Sequence, residues 1–355
     1  MASIIKVLIV EDSRTVSQYL EYILSEDDGI EVIGNVANGK EAIDFVNKTK
    51  PDVISMDIDM PIMNGLEATR IIMSTIPVPI IVVTASVNAA KTGLSIEALA
   101  AGALTVIPKP VGFGHVDSEI KTKKLLSLVK IYAQVKVVKR KYINIVNNNK
   151  PKKGKTSSVV TKLPPLSILQ NKKYVAIGIS SGGPQVLAEI FSKLSKQFPY
   201  PILVVQHITP GFLEGMVAWL GRLSEVPIHI ASQKEKILPG HIYFAPDYHE
   251  MYMKDDRIHL KKCPKNTNIC PSVAYLFKSM AKDYAKYTIA LLLTGMGRDG
   301  SYELKVLKDA GAVTIAQDKE SSLVHGMPGE AIKMNAADYV LSPNEIISML
   351  KSLKK

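Results

Sequence analysis

The sequence predicts an α/β protein made of two doubly wound parallel-sheet domains joined by a basic linker. Three observations carry this. At 355 residues the chain is long for one domain and sufficient for two, each able to bury its own core. Short β-branched runs alternate with helix-period segments from residue 4 to 110, and the rhythm resumes from Lys172. Between them "KVVKRKYINIVNNNKPKKGKTSSVVTKLPP" has Asn repeats, Lys runs and prolines but no sustained period.

In the first half, apolar runs at Lys6–Val10, Glu31–Ile33, Val53–Met56, Ile80–Val83 and Leu104–Ile107 read as strands. "SRTVSQYLEYILSE" places Val16, Leu20, Ile23 and Leu24 on one helix face, and Asn38 with Glu41 three residues on marks a capped helix start. A last helix falls near 117–131. In the second half, strands are expected near 174–179, 201–206, 227–231, 242–245, 288–293 and 312–316. The domains are therefore 1–131 and 171–355, with a Lys/Asn-rich linker at 132–170 that is flexible in its central part.

The net charge of +11 comes from the middle of the chain, because fifteen Lys or Arg and no acid lie between 121 and 173. Subtracting them leaves the rest at −4, so the charge is a solvated linker's and nucleic-acid binding is not expected. Two cysteines, Cys263 and Cys270, form no disulfide framework or zinc ribbon, which suits a reduced compartment. "MASIIKVLIVEDS" is too short in apolar length for a signal peptide and no apolar run reaches 18 residues, so a cytoplasmic protein without membrane insertion is expected.

Chemistry-bearing residues gather at strand ends. "VLIVEDS" ends in Glu11 and Asp12, "DVISMDIDMP" carries Asp57, "IIVVTAS" carries Thr84, and "LTVIPKP" carries Lys109. In a parallel sheet these ends share one edge. Crowded carboxylates repel unless a cation joins them, and Mg²⁺ suits oxygen ligands. Asp57 can then accept a phosphoryl group, Thr84 can hydrogen-bond it and Lys109 can neutralise it. A cis Lys109–Pro110 bond would aim the lysine back into the site.

These blocks, with "MDIDMPIMNGLE", resemble the receiver domain of bacterial response regulators over about residues 4–130. The resemblance implies a CheY-like fold, phosphorylation of Asp57 by a histidine kinase, and Mg²⁺ on Glu11, Asp12, Asp57 and the Asp59 backbone carbonyl. Val106 stands where receivers carry Tyr or Phe, so the resemblance does not bring the aromatic rotamer switch to this chain.

"YVAIGISSGGPQVLAEIF" raises a different chemistry. Gly178-Ile179-Ser180-Ser181-Gly182 fits the G-x-S-x-G elbow, in which glycines let a hydroxyl project from a sheet onto a helix N-terminus. Pro184 suits the first helical turn. A serine needs a base, and "YPILVVQHITPGF" ends its strand with His207; "YTIALLLTGMGRDG" carries Asp299, able to orient the imidazole. The chain order Ser, His, Asp differs from that of α/β-hydrolases. The other histidines show no H-E-x-x-H spacing, so no cofactor is expected in this domain.

"IGISSGGP", "VVQHITPGF", "LPGHIYFAPDYHEM", "PSVAYLF", "LLLTGMGRDG" and "AGAVTIAQDKESSLVHGMP", in order, resemble the protein-glutamate methylesterase (CheB) family of bacterial chemotaxis. The resemblance implies Ser180 as nucleophile, His207 as base and Asp299 as third member of a triad. It also implies Ser181 as a neighbouring hydroxyl and the Met296 backbone N–H as an oxyanion donor. The substrates it implies are glutamate methyl esters and selected glutamines of methyl-accepting chemotaxis receptors, and the implied phosphodonor is a chemotaxis histidine kinase. The family's R-P-S-V-D block appears as "CPSVA", with Cys270 and Ala274 at the Arg and Asp positions. Two other readings are a phosphorylation-controlled nucleic-acid binder and an inactive esterase-like adaptor. No helix-turn-helix pattern supports the first, and intact Ser180, His207 and Asp299 oppose the second.

Overall fold

The computed structural model describes residues 4–84, 94–110, 118–138, 163–264, 267 and 269–353. The central linker, 139–162, lies outside them. The first domain is a five-stranded parallel sheet, β1 (Ile5–Val10), β2 (Ile30–Val36), β3 (Val53–Met56), β4 (Ile80–Thr84) and β5 (Thr105–Pro108), in the order β2-β1-β3-β4-β5. β3 and β4 are buried along their whole length, as continuous apolar runs covered by helices on both faces require. Helix Arg14–Ser25 buries Leu20, Ile23 and Leu24, and Asn38 caps helix Gly39–Lys48 by accepting from the Glu41 N–H at 3.0 Å. Val10 is level with Met56 across β1 and β3, so Glu11 and Asp57 leave the sheet side by side.

The second domain centres on a seven-stranded parallel sheet. Its strands are β6 (Tyr174–Ile179), β7 (Ile202–Gln206), β8 (Ile228–Ile230), β10 (Ile242–Phe244), β13 (Thr288–Leu292), β14 (Val313–Gln317) and β15 (Tyr339–Leu341), ordered β15-β14-β13-β6-β7-β10-β8. β6 enters at the middle, the chain builds out on one side through β7, and it returns on the other through β13. That reversal places a crevice beyond the carboxyl ends of β6, β7 and β13.

The sequence reading missed a three-stranded antiparallel sheet of β9 (Glu235–Lys236), β11 (His249–Lys254) and β12 (Arg257–Lys262). Its signal was present. Met251, Met253 and Ile258 alternate into the core around Asp255 and Asp256, whose φ angles of 51° and 53° make the two-residue turn of a hairpin. Two further expectations are corrected. Lys109–Pro110 is trans; the lysine reaches the acids from its strand end without a cis bond. Cys263 and Cys270 are bonded to each other as a disulfide, with their Cα atoms 6.3 Å apart.

The domains pack directly. Helix Leu94–Ala101 lies against helices Gly183–Phe191 and Leu213–Leu223, and the Thr209 hydroxyl donates to the Val106 carbonyl at 3.0 Å. No helix among the described residues is long and apolar enough to cross a membrane.

Candidate active site

Ser180 follows the last residue of β6, where its N–H donates to the Thr294 carbonyl at 2.9 Å and its own carbonyl accepts from Gly183 at 2.8 Å. Between them Gly182 adopts φ +81°, and a Cβ there would meet Leu323 Cβ at 2.6 Å. Glycine is thus required for the chain to turn from strand into helix Gly183–Phe191. Pro184 occupies that helix's first turn, where its missing N–H costs nothing.

His207 leaves β7 on the same edge, and its Nε2 lies 2.9 Å from Asp299 Oδ2. Asp299 sits in turn on the start of helix Val273–Ala281, accepting from the Val273 N–H at 2.7 Å and the Ala274 N–H at 3.1 Å. Burial pushes its carboxyl up, but His207 and these two amides outweigh burial and hold it below the usual carboxylate range. The structure therefore brings His207 and Asp299 into contact. Ser180 and His207 line one cavity with Ser181 and Gln206, while the Ser181 side chain faces the Tyr132 hydroxyl of the first domain. Met296 follows β13, and no partner takes its N–H among the described residues.

The first domain roofs this cavity. Leu99, Leu104, Thr105 and Val106 line it opposite the serines, and its volume is about 20 Å³. That is room for one water and not for a glutamyl ester.

The acidic site of the first domain is built from charges. Lys109 Nζ lies 2.8 Å from Asp57 Oδ2 and 2.6 Å from Glu11 Oε2, and the Ile58 N–H donates to Asp57 Oδ1 at 2.8 Å. Burial pushes both carboxyls up; Lys109 opposes this without cancelling it. Thr84 is buried at the end of β4, and its carbonyl accepts from the Lys109 N–H at 2.8 Å. Carboxylate oxygens of Glu11, Asp12 and Asp57 lie within 4.8 Å of one another. An all-oxygen set of three acids, two of them buried, fits a hard divalent cation. Asp59 is exposed two residues beyond Asp57.

The family model for the CheB methylesterase matches residues 175–350, and that for the response regulator receiver domain matches residues 7–121. The protein-glutamate methylesterase/protein-glutamine glutaminase of Nitrosospira multiformis is 46% identical over 350 residues, spanning 98% of this chain and 97% of that one. The chain belongs to the CheB methylesterase family. A relative of the same description from Geobacter metallireducens is 45% identical over 98% of this chain and 99% of its own. The crystal structure of the Thermotoga maritima CheB methylesterase catalytic domain aligns with 38% identity and a TM-score of 0.48, covering 50% of this chain and 97% of that one.

Of the three departures from the CheB pattern, Cys270 is in the disulfide, and Val106 and Ala274 fall on backbone-mediated contacts. Val106 is buried and offers its carbonyl to Thr209. Ala274 serves through its N–H, which an Asp at that position would supply equally. What the sequence reading missed is the polar scaffold behind the site. Thr294, fully buried, donates from Oγ1 to the Ser181 carbonyl at 2.9 Å, and its N–H bonds Gln317 Oε1 at 2.8 Å. Glu250 of the hairpin takes the Ser272 N–H at 2.8 Å and so anchors the helix start under Asp299. A single signal could have found Thr294, Gln206 and Gln317: each is a polar residue closing a mostly apolar strand run.

Proposed function

We propose that this chain hydrolyses glutamate methyl esters of chemotaxis receptors, and deamidates selected receptor glutamines, under control of phosphorylation at Asp57. The observation that carries the reading is the His207–Asp299 contact beside Ser180, in a cavity that the receiver closes.

With Nε2 turned to Asp299, Nδ1 is the ring nitrogen left to take the Ser180 proton. Ser180 Oγ bonds to the ester carbonyl carbon, and charge gathers on the carbonyl oxygen. The Met296 N–H is the donor for it, with the Ser181 turn beside it; one such donor typically contributes about 10²- to 10³-fold. The C–OCH₃ bond breaks and methanol leaves with the proton from His207. A water then gives its proton to His207, attacks the acyl-serine and frees the glutamate. An amide follows the same path with ammonia leaving.

In the receiver, Asp57 accepts a phosphoryl group from a histidine kinase. Mg²⁺, held by Glu11, Asp12, Asp57 and the Asp59 carbonyl, would offset the charge of that transfer. Thr84 and Lys109 then bind the phosphoryl oxygens. Lys109 must leave part of its present ion pairs to do so, which couples the end of β5 to the face that roofs the esterase cavity. The locale this chemistry fits is the cytoplasm, where receptor signalling domains and kinase meet.

Methanol release from methylated receptor membranes, with and without phosphodonor and Mg²⁺, tests the reading. Ser180→Ala should abolish release and leave Asp57 phosphorylation intact. A harmless Ser180→Ala with a dead Ser181→Ala would reassign the nucleophile; no response to phosphodonor would remove the receiver's control.

A further inference from the structure

Gln206 is the last residue of β7 and only 4% exposed. Its Nε2 donates twice, to the Ser180 carbonyl at 3.0 Å and to the His207 carbonyl at 2.8 Å. Its Oε1 is buried and has no partner among the described residues. Turning the amide over would set that oxygen against two carbonyl oxygens, so the donors dictate the orientation. A buried acceptor left unpaired is unfavourable, and the arrangement persists because both N–H bonds are made.

The location gives those bonds a purpose. The ladder between β6 and β7 ends at Ile179 opposite Gln206, with a last bond from the His207 N–H to the Ile179 carbonyl at 2.9 Å. Beyond it the two chains diverge, one into the serine turn and one into the histidine loop. The Gln206 amide replaces the missing rungs, holding the backbones of Ser180 and His207 on a single nitrogen. Gly183 makes room for it, since a Cβ there would lie 2.0 Å from Oε1.

We infer that Gln206 is a positioning residue that fixes the distance and angle between nucleophile and base by bridging their carbonyls. The inference rests on the esterase reading above. Misplacing a nucleophile by a fraction of an ångström acts on the chemical step and leaves substrate binding largely untouched.

The test uses the full-length protein with phosphodonor and Mg²⁺, comparing wild type, Gln206→Met and Gln206→Glu. Met keeps the length and loses both donors. Loss of two hydrogen bonds predicts a kcat lower by about 10- to 30-fold with KM within about twofold. Labelling of Ser180 by a fluorophosphonate, which needs no receptor, should slow in parallel, while phosphorylation of Asp57 is unchanged. The carboxyl introduced by Gln206→Glu, once protonated, can again donate one of the two bonds. The Gln206→Glu rate, divided by the wild-type rate, should therefore rise as pH falls, while the same ratio for Gln206→Met stays flat.

Wild-type kcat and labelling in Gln206→Met would overturn the inference, as would a raised KM at unchanged kcat. If the Met variant does not fold, the Glu variant decides, and a ratio that does not change with pH overturns it. Failure of the wild type to release methanol while Asp57 accepts phosphate would instead sink the esterase reading, and the inference with it.

Discussion

The two sites of this molecule occupy the same place on similar sheets and are held by opposite means. Around Asp57 the partners are charged: Glu11, Asp12 and Lys109 crowd within a few ångströms, with more negative charge than the one lysine offsets. Around Ser180 the support is mostly neutral: backbone amides seat the one carboxylate that faces His207, Asp299, and Gln206 and Thr294 hold the serine turn. A site made of charges responds to another charge, as a phosphoryl switch must. A site made of fixed dipoles keeps its geometry while charge develops on a substrate, as acyl transfer requires.

The sharpest break in this contrast is Asp299→Asn. It keeps the shape but removes the charge facing His207, and kcat should fall by about 10³- to 10⁴-fold, read as methanol release. Phosphorylation of Asp57 should be untouched, since none of its partners is shared. The mirror experiment is Asp12→Ala. Losing one of three acids should raise the Mg²⁺ concentration that phosphorylation needs by about 10- to 100-fold, read by magnesium titration, with fluorophosphonate labelling of Ser180 in the absence of phosphodonor unchanged.

The contact between the domains ranks next. Tyr132→Phe removes the hydroxyl that faces Ser181 across the domains, and Thr209→Val removes the bond to the Val106 carbonyl. At about 1 kcal/mol per bond, each should raise turnover of unphosphorylated enzyme by about fivefold, and should not raise the phosphorylated rate. If neither raises basal turnover, these bonds do not hold the site shut.

The smallest effect is on stability against pH, and it should have opposite signs in the two domains. Asp57 and Glu11 are pushed up by burial from ordinary values of 3.8 and 4.5, so the folded receiver binds their protons more tightly than the unfolded chain does. Its stability should fall as pH rises from that range through the folded values. Asp299 is held below 3.8, so its contribution is full above that value and is lost as pH falls through its folded value. Thermal melting across pH, with Asp57→Asn removing part of the receiver's dependence, separates the two. Parallel pH trends in both domains would contradict the contrast.

The same difference explains what could be read from the residues alone. Asp57, Lys109, Ser180, His207 and Asp299 announced themselves because each follows an apolar strand run with a reactive side chain, and parallel topology carries all such ends to one edge. The receiver site is nearly complete in those residues. The esterase site is not, because its support runs through partners chosen by folding: Thr294 meets the Ser181 carbonyl across 113 positions, and Glu250 meets Ser272 from a hairpin. Nothing in the local spacing of Ala274 says that its N–H will hold a carboxylate. The hairpin is legible in its alternation, but the parallel pattern that surrounds it masks that signal.

Thr209 grips the main-chain oxygen of residue 106, an atom that every amino acid provides. Mutational drift at that position can therefore change how the receiver senses its phosphate while the resting enzyme stays shut. Responsiveness and silence can evolve separately, and a lineage can adjust the gain of adaptation without acquiring an esterase that runs unasked.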